Sequence, residues 1–173
     1  LQGATTRLVE LINRRMDTGH YALVGHSLGT VLIRTALDQL DDRMPAACFF
    51  LAPPMLACKA AKFFSRFWPY QAATGEMGRL LAVDEFMRRL PMPPTFVRIY
   101  AGTGGPRAAW LPFGMEENDG ILSVSEATGD HGTAALRVPA LHTFIMNSPQ
   151  VCDDIVGSLA TLGPNAGSHA VPP

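Results

Sequence analysis

Cysteine is scarce in this chain. Its three cysteines, Cys48, Cys58 and Cys152, cannot all pair and are too few for a disulfide scaffold. No spacing of Cys and His resembles a zinc site. Charge is thin and balanced, with 14 basic against 15 acidic residues, so nothing attracts the chain as a whole to nucleic acid or acidic lipid. The basic clusters at Arg88-Arg89 and between Lys59 and Arg66 read as solvated helix faces. Long apolar runs are missing too. A membrane helix needs roughly 20 such residues, and the richest stretch, residues 46–64, is broken by Pro53, Pro54, Lys59 and Lys62. There is no signal-peptide pattern, but the chain opens with Leu1 rather than Met, so its compartment is not legible. The 16 glycines and 14 prolines have no period, which excludes a collagen-like or low-complexity chain. What is present is 173 residues at 47% hydrophobic, enough for one domain with a real core.

Along the chain, the apolar period alternates between that of helices and that of strands. Residues 4–16 place Ala4, Leu8, Leu11, Ile12 and Met16 on one helical stripe, closed by Gly19. Residues 20–25 form a short apolar run bounded by glycine, the pattern of a buried parallel strand. From Leu28 the period is helical again, with Leu28, Val31, Leu32, Thr35, Ala36 and Leu40 expected to face inward as far as Asp41-Asp42 and Pro45. Residues 46–52 predict a second strand, stopped by Pro53-Pro54; residues 95–101 predict a third, followed by the Gly/Pro segment 102–106. A long loop then runs to about Ser123, and residues 134–138 predict a short fourth strand. Ser148 suits an N-cap with Pro149 in the first turn of a closing helix, whose stripe is Val151, Ile155, Leu159 and Leu162. Between the second and third strands, residues 55–93 read as a helical insertion. Its aromatics, Phe63, Phe64, Phe67, Trp68 and Tyr70 among them, suit either a lid or a self-packed core. Residues 163–173 read as a disordered tail. Strands alternating with helices predict an α/β architecture with a mostly parallel sheet.

The sharpest local signal is Gly25-His26-Ser27-Leu28-Gly29, set between a strand and an amphipathic helix. A strained turn there would lift Ser27 to its tip, with flanking glycines removing side chains that would clash. The helix starting at Leu28 would aim its first N–H groups at the serine oxygen, where negative charge develops in acyl transfer. A serine hydroxyl needs a base, and the base needs a carboxylate to orient it. Asn118-Asp119-Gly120 lies on the loop after the third strand, and His142 lies between the fourth strand and the closing helix. Both positions fall at the carboxyl edge of a parallel sheet, where sites in open α/β folds gather. The rival acids are Glu116, Glu117 and Asp130. The rival histidines are His20, His131 and His169, while His26 reads as a packing neighbour of the site rather than a proton carrier.

These residues, in the order Ser27, Asp119, His142, resemble the α/β-hydrolase superfamily on its lipase and esterase side, over roughly residues 4–162. The resemblance implies hydrolysis of a small-molecule ester or lipid through an acyl-enzyme, with no cofactor and no metal. It implies Ser27 as nucleophile, His142 as general base and acid, Asp119 as orienter, and the Leu28 N–H as one oxyanion donor. Two further readings share the pattern: an acyltransferase or thioesterase with the same triad, and an inactive hydrolase fragment that serves as an interaction module. The pattern also departs from the family. Only a helix precedes the elbow strand, and no His-Gly loop lies upstream of Gly25 to supply a second oxyanion donor. The expectation is a partial domain, residues 1–162, lacking the N-terminal strands, with an open strand edge suited to self-association.

Overall fold

In the computed structural model, residues 1–15, 21–40, 43–57 and 84–162 are described. Most of the 55–93 insertion, and the tail, lie outside these residues. Four strands are seen: β1 (Ala22–His26), β2 (Ala47–Leu51), β3 (Phe96–Gly102) and β4 (Ala135–Val138). They pair in the order β1-β2-β3-β4, and every pairing is parallel. Among the described residues, five α-helices accompany them: α1 (Gln2–Arg15), α2 (Leu28–Leu37), α3 (Asp84–Arg89), α4 (Val124–Thr128) and α5 (Pro149–Leu162).

β2 shows why a sheet forms here. All five of its residues are buried, and because side chains alternate across a strand they serve two separate cores. Ala47, Phe49 and Leu51 pack with Tyr100, Val138, Ile145 and Val151, the layer beneath α5. Cys48 and Phe50 pack with Ile33 of α2 and Ile99 of β3 on the opposite face. Cys48 is therefore a small buried hydrophobe, and burial pushes its thiol up to about 12. α1 closes over α2 through Val9 and Ile12 against Tyr21, Ala36 and Leu37. β1 pairs with β2 alone among the described residues, so its far edge carries no partner strand there.

The helix periods are where expected, but the buried faces are rotated. On α1 the inward residues are Thr5, Val9 and Ile12, while Leu11 is 53% exposed and Ala4 also faces solvent. On α2, Thr30 and Arg34 are buried and Leu28 stands partly in solvent. On α5, Ser158 faces in and Leu159 faces out. The shifts on α1 and α2 share a cause: a polar side chain that finds a hydrogen-bond partner, local or tertiary, can occupy an inward position. Thr5 Oγ1 donates to the carbonyl of Leu1, and Arg34 Nε donates to the carbonyl of Pro91 at 3.0 Å. Hydropathy alone ranks such residues as outward. The long loop that runs to about Ser123 leads into a short helix. α4 begins with a capping box, in which Ser123 and Glu126 bond each other's main-chain N–H groups.

Candidate active site

Ser27 sits between β1 and α2 with φ 50 and ψ −118, a backbone region that side chains other than glycine seldom adopt. Three hydrogen bonds hold it there. Its N–H donates to Leu51 O at 2.9 Å, extending the β1–β2 ladder by one residue. Its carbonyl accepts from Thr30 N at 3.0 Å and Thr30 Oγ1 at 2.6 Å. The strain is thus imposed by the sheet on one side and the first turn of α2 on the other. Of the two glycines in the pentad, only Gly25 is required by space, since a Cβ there would lie 2.8 Å from Ile33 Cδ1 and 3.0 Å from Thr30 N. A Cβ at Gly29 meets nothing within 4 Å, so the expected steric need does not extend to that position.

His142 opens a 3₁₀ segment, His142–Asn147, directly after β4. Asp119 lies on the loop between β3 and α4. The fold brings both to Ser27: His142 Nε2 is 2.8 Å from Ser27 Oγ, and His142 Nδ1 is 2.7 Å from Asp119 Oδ2. The proton positions follow from donor chemistry. A carboxylate only accepts, so Nδ1 carries the hydrogen; the neutral ring then offers a lone pair at Nε2, and the Ser27 hydroxyl donates to it. Asp119 is fixed from behind, its Oδ1 accepting from Ile121 N at 2.9 Å and Leu122 N at 2.7 Å. Its own carbonyl accepts from His142 N at 2.9 Å, which pins the main chain of the histidine to the acid loop. Both residues are buried, with Asp119 at 1% and His142 at 6% exposure, so the pair is shielded from water on most sides.

The rival residues fall elsewhere. Glu117 pairs with Arg107 and Arg137, Glu116 accepts from the Ser125 hydroxyl, and Asp130 and His131 are exposed. His20 and His169 lie outside the described residues. Asn118 is fully buried and bonded: its Nδ2 donates to Pro106 O and Glu116 O, and its Oδ1 accepts from Gly120 N. Gly120 has φ 95, so the turn that presents Asp119 depends on that glycine.

One feature of the site went unread in the sequence. The glycines at 102, 104 and 105, noted only as a loop segment, form the bed on which the acid and histidine loops lie. A Cβ at Gly102 would stand 2.7 Å from Asp119 Cβ, one at Gly104 2.7 Å from Ala140 C, and one at Gly105 2.0 Å from Asn118 Oδ1. Main-chain bonds complete the seam, Gly104 N to Ala140 O at 3.0 Å and Gly105 N to Asn118 O at 2.7 Å. Three glycines within four residues, just past a strand, were the available signal.

Among the described residues no three His, Cys, Asp or Glu side chains gather as a metal site, and no helix is long and apolar enough to cross a membrane. No protein family matches the sequence, and neither does any curated protein. Solved structures do match. A Bacillus licheniformis lipase, BlEst2 in its mature form, superposes with a TM-score of 0.64 at 17% identity, over 90% of this chain and 71% of that one. A thioesterase from the prodiginine biosynthetic pathway of Streptomyces coelicolor gives a TM-score of 0.44 at 16% identity, over 91% of this chain and 65% of that one.

Proposed function

We propose, for a chain whose fold is that of the α/β-hydrolases, that it hydrolyses carboxylic esters through an acyl-enzyme formed on Ser27. The observation that carries this reading is the unbroken row Ser27 Oγ, His142 Nε2, His142 Nδ1, Asp119 Oδ2, with both links under 3 Å. Ser27 Oγ attacks the ester carbonyl carbon while His142 Nε2 takes the hydroxyl proton. Asp119 holds the ring in the tautomer that can accept it and stabilises the imidazolium that results. The carbonyl oxygen, now negative, lies toward the start of α2, where the Leu28 N–H and the helix dipole favour an anion. Collapse expels the alcohol, which leaves with the proton from His142. Water then enters, gives its proton to the same nitrogen, and releases the acid by the reverse steps. Exposed Leu28, Ile121, Leu141 and Phe144, each beside a residue of the row or close to it in sequence, favour an apolar acyl group over a charged one.

A p-nitrophenyl alkylphosphonate tests the assignment directly. Mass spectrometry should find a single phosphonyl adduct on the peptide holding Ser27, and Ser27→Ala should carry none. An adduct that survives the substitution, or a folded protein that takes no label, refutes the proposal. Adding an alcohol or a thiol as competing acceptor in an ester-cleavage assay separates hydrolysis from acyl transfer to those acceptors.

A further inference from the structure

His26 ends β1, one residue before Ser27, and the proposed reaction gives it no role. Its Nε2 lies 2.9 Å from the main-chain carbonyl oxygen of His142, and the two imidazole rings stand 5.0 Å apart, tilted by 51°. A carbonyl only accepts, so Nε2 of His26 must carry a hydrogen. Four bonds therefore converge on His142: its N–H to Asp119 O, its Nδ1 to Asp119 Oδ2, its Nε2 to Ser27 Oγ, and its carbonyl from His26. Two of these tie it to the acid loop. The link to Ser27 must open and close as the proton moves. Only the fourth ties the main chain of His142 to the strand that carries the nucleophile, and it involves no reacting atom.

We infer that His26 is a positioning residue: its uncharged Nε2–H holds the main chain of His142 against the elbow strand, so that the imidazole keeps its distance from Ser27 Oγ while its proton is transferred. The chemical half of this inference rests on the proposed serine-hydrolase reading; the hydrogen bond itself does not. Neutrality matters because a cation at His26 would stand next to the imidazolium that forms on His142 and oppose it. Among the described residues, the titratable groups facing His26 are His142 and Asp119. Burial and His142 lower its pKa, and the bond to the His142 carbonyl and the charge of Asp119 raise it, with a net shift below the ordinary histidine value.

Two measurements test the inference. In nitrogen-15 NMR of the histidine rings, His26 should be the Nε2–H tautomer at neutral pH and should take up its second proton below the usual histidine range. An Nδ1–H tautomer, or a cation at neutral pH, overturns the assignment whatever the activity. The second measurement compares His26→Gln, whose amide nitrogen reaches the place of Nε2 and cannot titrate, with His26→Phe, which fills the space without a donor. Phosphonylation of Ser27 at saturating reagent should be ~10–100-fold slower in the Phe variant, the scale of a misplaced catalytic group, with the half-saturating concentration little changed and the rate largely restored by Gln. Equal slowing in both variants, or none in either, refutes positioning by the donor. If even the unsubstituted protein is not phosphonylated, the proposed function falls, and the tautomer alone decides whether the positioning bond exists. A Phe variant that does not fold leaves the Gln variant and the tautomer to decide.

Discussion

Replacing Asp119 by Asn and by Ala separates what its carboxylate does for the site from what it does for the fold. The side chain accepts three hydrogen bonds, from Ile121 N, Leu122 N and His142 Nδ1. In Asp119→Asn the amide oxygen can still accept from the two main-chain groups, but the NH₂ then faces Nδ1. His142 must meet it with a lone pair, which moves the ring proton to Nε2 and leaves nothing there to receive the proton of Ser27. Turnover should fall by ~10⁴, as it does for the equivalent change in a serine protease, while stability changes by about 1 kcal/mol. In Asp119→Ala the donors lose their acceptor. Ile121 is exposed, so water reaches its N–H, but Leu122 and His142 are buried. Two orphaned buried donors at ~1–3 kcal/mol each come to about 2–6 kcal/mol, a large share of the ~5–15 kcal/mol that holds a domain folded. Urea unfolding gives the stability of both variants, and release of p-nitrophenol from a short-chain ester gives the activity. If the Asn variant keeps more than about a tenth of the activity, or the Ala variant unfolds at the wild-type midpoint, the roles assigned to Asp119 are wrong.

Three further outcomes follow from backbone geometry. Gly105→Ala places a methyl 2.0 Å from Asn118 Oδ1 and 2.4 Å from Gly120 N, so the acid loop must move; a loss of ~1–3 kcal/mol and of most activity is expected in a thermal melt and an ester assay. Gly29→Ala meets open space inside α2 and should leave the melt unchanged or raise stability by up to about 1 kcal/mol; an equal loss in both would contradict the packing described here. Ser27→Gly relieves a non-glycine residue at φ 50 and should be more stable than Ser27→Ala by about 1 kcal/mol, both being inactive; equal denaturation midpoints would show that Ser27 is not strained.

Strand and helix types were legible because the strands are short, continuous apolar runs, whereas the helices repeat their apolar residues every 3.6 positions. The alternation of such runs with helical segments indicated a mostly parallel sheet, and β2, buried on both faces, bears it out. Helix faces were harder to read. Thr5, Thr30 and Arg34 are buried because each finds a local or tertiary hydrogen-bond partner, and hydropathy counts the residue without the partner. The capping box at Ser123 and Glu126 was a local signal left unread, and the glycine bed at 102–105 could be counted but not interpreted without its neighbours.

The order of residues along this chain determined the chemistry on offer: a serine in a glycine-flanked turn, an acid beside a turn glycine, and a histidine ahead of the closing helix, each on a segment that follows a strand. Sequence alone could narrow four acids to a favourite, because nearness along a loop is a local property. Only the folded chain decided which acid and which ring meet, since the partners are separated by 23 and 115 positions and their contact depends on the parallel stacking of four strands. The bond from His26 to the far side of His142 belongs wholly to that second kind. Its donor and acceptor are 116 residues apart, and the acceptor is a main-chain oxygen, which every residue possesses and no sequence pattern can single out.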